Sequence, residues 1–493
     1  MNRVPELRIR AVNERPVARD RDHVLYWSTA YRRPTWNFAL QRAVEWSKEL
    51  DRPLLVLDAL GVNHPWASER IHAFVLGALA DNAATYAKHG VQHYAYVEPK
   101  LHAGRGLLAR LAERACVVVG DDYPCFVLPR FVAAGAKQVD VRMEVVDSNG
   151  LLPLRATDRV FPTAYAFRRF LQKSLPEHLP HAPLANPLRN LPHMLASVPK
   201  QVERDFPRVK PALLAGGSAE LARLPIDHAV TPVELRGGHV AAAKLLEQFL
   251  ARRLLDYEEQ RNHPDADVAS GLSPYFHFGM LSSHQVFAAL AAHEEWTPEH
   301  LSADAKGARL GFYGMRSTAE SFLDQAVTWR ELGFHECAKR ADYDRYESLP
   351  PWALLTLERH ESDPRPQLYD LDELERAATY DPLWNAAQNE LVTTGRMQNY
   401  LRMLWGKKIL EWSPSPRAAL GALLHLNDKY ALDGRDPNSI SGIFWCLGRY
   451  DRAFGPERAI FGKVRYMSSQ NTARKLSLQD YLARFGVESP RRR

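Results

Sequence analysis

Residues 399–416 read NYLRMLWGKKILEWSPSP, a stretch with helical period that ends at two prolines, Pro414 and Pro416. Trp405 and Trp412 lie seven residues apart. Two turns of helix put them on nearly the same side, about 10 Å apart along the axis. Arg402 and Lys408 border that side. Large rings aligned on a helix commonly pack a core. Whether these oxidisable rings do more than pack is decided by the rest of the chain.

The chain has 493 residues, 46% hydrophobic and 25% charged, which predicts a globular protein of two or three domains. Its apolar runs are far short of a membrane span. The first 23 residues, MNRVPELRIRAVNERPVARDRDH, are charged throughout and have no apolar signal-peptide core, so a cytoplasmic protein is expected. Cys116, Cys125, Cys337 and Cys446 are scattered and lack CxxC spacing. Four free thiols fit this scatter better than a zinc site or an iron–sulfur cluster. The net charge of +6 permits a polyanionic partner. Basic residues concentrate in GRYDRAFGPERAIFGKVRYMSSQNTARK and in the tail PRRR. These form either a solvated face or a surface that contacts phosphates.

Residues 21–155 alternate strand and helix signals. HVLYWS, PLLVLDAL, VQHYAYVE, ACVVVGDD and QVDVRMEVVD are the apolar runs. Continuous apolar strands between helices predict an α/β domain with a doubly wound, Rossmann-like parallel sheet. No GxGxxG follows the first strand, so the usual dinucleotide fingerprint is absent. Prolines crowd the section from 176 to 235, and residues 156–236 read as an interdomain linker. From 237 to 485 the signals are helical, which predicts an all-α second domain.

Four stretches of this second part carry chemistry. ASGLSPYFHFGMLSSHQVF, 269–287, puts Ser270, Gly271, Ser273 and Pro274 in a turn, with a helix after Gly279. Small residues before a helix suit a phosphate or simply cap the helix. SFLDQAVTWRELGF, 321–334, puts Gln325 and Trp329 four residues apart on one helix face, fit to read and stack a base or to pack a core. Residues 381–412 add Trp384 to the opening pair. From Asn427 the chain reads NDKYALDGRDPNSISGIFWCLGRYDR, with Asp433, Arg435, Asp436, Asn438 and Trp445 around a turn-rich loop. Asp433 is placed to pair with Arg402 and hold that arginine inside the domain.

Together these stretches resemble the photolyase/cryptochrome family, and most closely the class II cyclobutane pyrimidine dimer photolyases. The matching pieces are SGLSPYFHFG, WREL, DPLWNAAQ, RMLWGKKILEW, LNDKYALDGRDPN and ERAIFGKVRYMS, in family order. VLYWSTAYRRPTWNFAL and VVDSNGLLP fit the family's antenna-type N-terminal domain more loosely.

The resemblance implies FAD in the helical domain, with reduced FADH⁻ as the active form. A deazaflavin antenna in the N-terminal domain is the cofactor that class II relatives add. Ser270, Leu272 and Ser273 match the segment that cradles the FAD phosphates, and Tyr257 matches an upstream phosphate contact. Asn427 matches the asparagine against flavin N5. Arg402 and Asp433 match a salt bridge beside the isoalloxazine. Trp405, Trp384 and Trp412 match the inner, middle and outer members of a chain that photoreduces FAD and ends near solvent. The expected substrate is UV-damaged DNA, bound by a monomer. Trp329 and Trp445 match aromatics that hold the flipped pyrimidine dimer, and Met403 matches a methionine touching it. Lys463 and Arg465 match the DNA-bubble region.

Two departures stand out. Gln325 occupies the place of a catalytic glutamate found in several class II enzymes, and LGRYD replaces a GGVHD stretch. An amide donates a hydrogen bond but supplies no proton near neutral pH. The alternatives are a cryptochrome-type blue-light receptor, for which the short segment after the last motif leaves little signalling tail, a (6–4) photolyase, and a flavin-free nucleic-acid-binding protein.

Overall fold

A computed structural model describes residues 3–191 and 194–486. The basic tail PRRR lies outside the described residues. The chain divides into two compact units. The first comprises Met1–Asp158, Lys173–Glu247 and Leu272–Glu299. The second comprises Arg159–Gln172, Gln248–Gly271 and His300–Arg493.

The first unit is built on a six-stranded sheet: β1 (Ile9–Ala11), β2 (His23–Ser28), β3 (Leu54–Leu60), β4 (Gln92–Val97), β5 (Ala115–Asp121) and β6 (Met143–Val146). Its order is β1-β6-β5-β2-β3-β4. Strands β2 to β6 run parallel. The chain winds outward from β2 through β3 and β4, then returns to β5 and β6 on the other side. This is the doubly wound order expected from the apolar runs. β1 was not anticipated. It is three residues long and pairs antiparallel with β6, Ile9 opposite Val146.

The strand order reverses between β2 and β5, and there the Asp121 carboxylate ties the two together. Its Oδ2 accepts from the backbone N–H groups of Thr29, Ala30 and Tyr31 at 2.8, 2.7 and 2.9 Å. Its Oδ1 accepts from the Tyr26 hydroxyl at 2.8 Å. The helix Phe38–Leu50 starts nearby because the Asn37 side chain accepts from Ala39 and Leu40 N–H.

The section 156–236 is structured. It holds the helices Ala164–His178, Lys200–Asp205, Pro211–Leu214 and Ser218–Leu221. Its later part returns to the sheet: Val209 N–H donates to the Ala95 carbonyl at 2.9 Å, and Leu195 bridges Leu54. The helices Lys200–Asp205, Pro211–Leu214 and Ser218–Leu221 belong to the first unit, while most of Ala164–His178 belongs to the second.

The second unit is helical, and its described residues contain no strand element. Prolines and caps set its register. Pro382 opens the helix Pro382–Thr394, and Gly395, at φ +69°, closes it. The opening stretch forms the helix Asn399–Trp412. Pro416, expected as a stop, is also the first residue of the next helix, Pro416–Tyr430. Gly406 abuts the Cys446 side chain, so the helices Asn399–Trp412 and Pro437–Cys446 approach closely only because residue 406 has no Cβ. All four cysteines are buried thiols outside any disulfide. Among the described residues no helix is long and apolar enough to cross a membrane, and no cluster could hold a metal ion.

Candidate active site

The aromatic line is built by caps and a bridging ring. The Asp381 carboxylate accepts from Leu383 and Trp384 N–H at 3.2 Å, which fixes the first turn carrying Trp384. Trp384 Nε1 donates to the Trp405 carbonyl at 3.0 Å, and Trp405 Nε1 donates to Gln388 Oε1 at 2.9 Å. Trp384 lies 6.5 Å from Trp405 and 5.4 Å from Trp412 between ring centroids. The two rings seven residues apart are thus joined by a third from the neighbouring helix.

The expected end near solvent is not at Trp412, which is 0% exposed. Tyr369 and Tyr380 cover its ring at 5.2 and 5.5 Å. Tyr380 is 55% exposed. Lys408 Nζ stands 5.4 Å from the Trp412 ring centroid and is held by Glu411 at 2.8 Å and Asp381 at 3.9 Å. Sequence reasoning missed both tyrosines. The available signal was Tyr380 directly before the Asp381 cap.

A polar cluster joins the helix Asn399–Trp412 to the helix Pro416–Tyr430 and the segment that follows it. Arg402 and Asp433 pair at 3.0 Å. Asn427, 2% exposed, donates from Nδ2 to Asp428 Oδ1 at 2.9 Å and to Ser439 Oγ at 2.7 Å. Both amide hydrogens are used, which leaves its oxygen to meet a donor. Asp428 also receives the backbone N–H of Arg435 at 3.0 Å, and burial raises its carboxyl above the ordinary range. Asp436 caps the helix Pro437–Cys446 through Ser439 N–H at 2.6 Å. Burial pushes the Asp436 carboxyl up to about 7.

Ser270 and Gly271 stand at a cationic corner of the second unit. Gly271 has φ +73°, and the Arg396 guanidinium lies 3.3 Å from where its Cβ would be. Arg253 donates to the Ala269 and Ser270 carbonyls at 2.9 and 3.5 Å. Burial lowers the Arg253 pKa, and the like charge of Arg396 lowers it further. Two guanidinium groups beside a left-handed glycine form a donor set for a diphosphate. Tyr257 is buried against Phe249 and Phe322, and burial pushes its phenol up to about 12. Leu272 and Ser273 belong to the first unit, where Ser273 opens the short helix Ser273–His277. The longer helix expected after Gly279 starts at Ser283.

Gln325 and Trp329 lie on a π-helical turn, Asp324–Trp329, where an α-helix was expected. Such turns often mark functional sites. Asp324 points inward to Arg168 at 2.8 Å, while Gln325 and Trp329 stay partly exposed. Trp329 stacks on Trp445, centroids 4.7 Å apart and planes 20° apart. The structure therefore joins two rings that lie far apart in sequence. Met403 is partly exposed one residue beyond Arg402. Lys463 and Arg465 are half-exposed on a loop, near Glu457 at 3.6 Å and Asp451 at 3.8 Å respectively.

A helical unit that lines up three buried tryptophans, in one chain with a doubly wound α/β unit, is the architecture of a photolyase. The chain is 33% identical over 97% of its length, and 97% of the relative's, to a deoxyribodipyrimidine photo-lyase of Methanothermobacter thermautotrophicus. A rice protein of the same name matches at 32% over 93% of the chain and 87% of its own. No family model matches. A class III photolyase structure from Agrobacterium tumefaciens shares the fold, with TM-score 0.67 and 17% identity over 94% of this chain and 86% of that one. The chain belongs to the deoxyribodipyrimidine photo-lyase family.

Proposed function

We propose that this protein is a light-dependent DNA repair enzyme, a deoxyribodipyrimidine photo-lyase that splits cyclobutane pyrimidine dimers, closest in kind to class II. The observation that carries the reading is the relay Trp405–Trp384–Trp412 in the same unit as the Arg402–Asp433 pair and the Trp329–Trp445 stack.

FAD fits the residues present. Arg253, Arg396 and Ser270 would hold its diphosphate at Gly271, with Tyr257 as a further contact. Arg402, Asp433 and Asn427 would meet the isoalloxazine. Bound and reduced, FAD supplies the light-excited electron that opens the cyclobutane ring and takes it back afterwards. Asn427 offers that group a hydrogen-bond acceptor, because both its N–H bonds are taken. Trp384, Trp405 and Trp412 keep the flavin reducible by light.

Trp329 and Trp445 would part to hold the flipped dimer, since photolyases take their target base out of the stack. Met403 packs against the dimer, and Gln325 donates an amide hydrogen bond to it. Lys463 and Arg465 would bind phosphates where the duplex opens. A light-harvesting deazaflavin would occupy the first unit. The strand-order reversal beside β2 supports this. We place the protein in the cytoplasm as a monomer, since one copy supplies every residue invoked.

The test is the absorption spectrum of the purified protein, followed by illumination with DNA carrying a cyclobutane dimer. Flavin bands and light-dependent loss of the dimer support the reading. Photoreduction without repair favours a receptor.

A further inference from the structure

Lys407 is a lysine taken almost wholly out of water, 1% exposed on the helix Asn399–Trp412. Burying an ammonium group is costly unless a partner holds it. Its neighbour Lys408 meets the carboxylate of Glu411 at 2.8 Å. Lys407 instead donates from Nζ to the backbone carbonyl of Cys446 at 2.6 Å. Asp451 attracts its charge and Arg465 repels it, but burial dominates and pushes the ammonium down to about 8.

Cys446 is the last residue of the helix Pro437–Cys446. The final carbonyls of a helix have no partner within it. The chain that follows serves two of them here. The Phe444 carbonyl accepts from Leu447 and Arg449 N–H at 3.0 and 3.1 Å, and that of Trp445 accepts from Gly448 N–H at 3.1 Å. Arg449 also braces Phe444, its guanidinium 3.8 Å from the ring centroid. The Cys446 carbonyl is left to Lys407. An ammonium suits that place, because the carboxyl end of a helix attracts positive charge. One residue earlier stands Trp445, whose ring stacks on Trp329. Lys407 thus ties the helix that bears Arg402 and Met403 to the helix that bears Trp445.

We propose that Lys407 is a positioning residue of the lesion pocket: it fixes the carboxyl end of the helix Pro437–Cys446 and so sets where the Trp445 ring stands against Trp329. This rests on the reading of the Trp329–Trp445 pair as the place where the flipped dimer binds. Lys407 acts through the Cys446 backbone and not on the dimer itself. Without its donor the Cys446 carbonyl must find another partner, and the last turn shifts to supply one. The two rings then no longer meet in register, whether on each other or on a base between them.

The test uses the full flavin-loaded chain labelled with fluorotryptophan. Fluorine NMR reads the Trp445 and Trp329 rings, each assigned by its loss in the corresponding Phe variant, and titration reads affinity for DNA with and without a cyclobutane dimer. Lys407→Met keeps the length of the side chain but removes the donor. It should move the Trp445 and Trp329 resonances, leave that of Trp384 in place, and weaken binding of dimer-containing DNA several-fold, with undamaged DNA unaffected. Lys407→Gln still offers an N–H and should keep most of the affinity. In a Trp445→Ala background Lys407→Met should bring no further loss. Unmoved Trp445 and Trp329 resonances in Lys407→Met, or an equal loss of affinity with and without the Trp445 ring, overturns the proposal. A parent chain that binds damaged and undamaged DNA alike overturns the lesion-site reading instead, and the two resonances still decide whether Lys407 sets the stack.

Discussion

Trp384 lies parallel to Trp405, with 5° between their planes, and donates its indole N–H to the Trp405 carbonyl at 3.0 Å. One residue thus both pins two helices together and links the inner and outer rings. Trp384→Phe keeps an aromatic ring but removes the hydrogen bond and part of the contact. The expected cost is about 1–3 kcal/mol of stability. Light-driven flavin reduction should be largely lost, because Phe is much harder to oxidise. Thermal unfolding and photoreduction of the same samples check both parts.

Gln388 holds the Trp405 indole from the neighbouring helix. Its Oε1 receives Trp405 Nε1–H, and its Nε2 donates to the Glu375 carbonyl at 3.3 Å. Gln388→Leu leaves a buried indole N–H without an acceptor, at a cost of about 1–3 kcal/mol. Denaturant midpoints should fall, with flavin content retained. An unchanged midpoint would show that this bond contributes nothing net.

The proposed function assigns lesion binding to the Trp329–Trp445 stack. Trp329→Ala or Trp445→Ala should weaken affinity for dimer-containing DNA by about 1–3 kcal/mol, the usual worth of a base–aromatic stack. Affinity for undamaged DNA should stay level. Lys463→Ala and Arg465→Ala should weaken both substrates alike and lower the salt slope by about 1 each. Titrations at several salt concentrations separate the two classes. Equal losses on damaged and undamaged DNA in the tryptophan variants would remove them from the lesion site.

Asp436 makes stability depend on pH. Its carboxyl titrates at about 7 in the fold because it is buried, against about 3.9 in an unfolded chain. A raised folded pKa means that the native state holds the proton longer. Its contribution is therefore fully present below about pH 4 and is lost as pH rises through about 7. Asp436→Asn preserves a capping oxygen for Ser439 N–H and carries no charge. It should flatten the stability profile between pH 5 and 8 and raise the midpoint at pH 8, by about 1–3 kcal/mol. A variant that follows the parent at both pH values would contradict the assignment.

Much of this arrangement was legible in the sequence. β2 to β6 appear as apolar runs, because buried parallel strands show no alternation. β1 was hidden, because a three-residue edge strand in a charged segment gains its order only from β6, more than a hundred residues away. Trp405 and Trp412 were visible through helical period, and Trp384 through the DPLWNAAQ stretch. The burial of Trp412 was not, since the covering tyrosines come from separate short segments. The π-helical turn at Gln325 was also invisible, because one extra residue per turn leaves no compositional mark. The Trp329–Trp445 stack depends on packing between helices distant in sequence, which periodicity does not report.

The most direct measurement is light-dependent repair by the purified protein. The sample is illuminated without oxygen, with a thiol reductant present, and DNA bearing a single cyclobutane dimer is then followed by chromatography. Bleaching of the oxidised flavin bands, followed by restoration of the two pyrimidines only in light, is the expected result. A protein that carries reduced flavin and binds the lesion yet leaves the dimer intact under light would contradict the account.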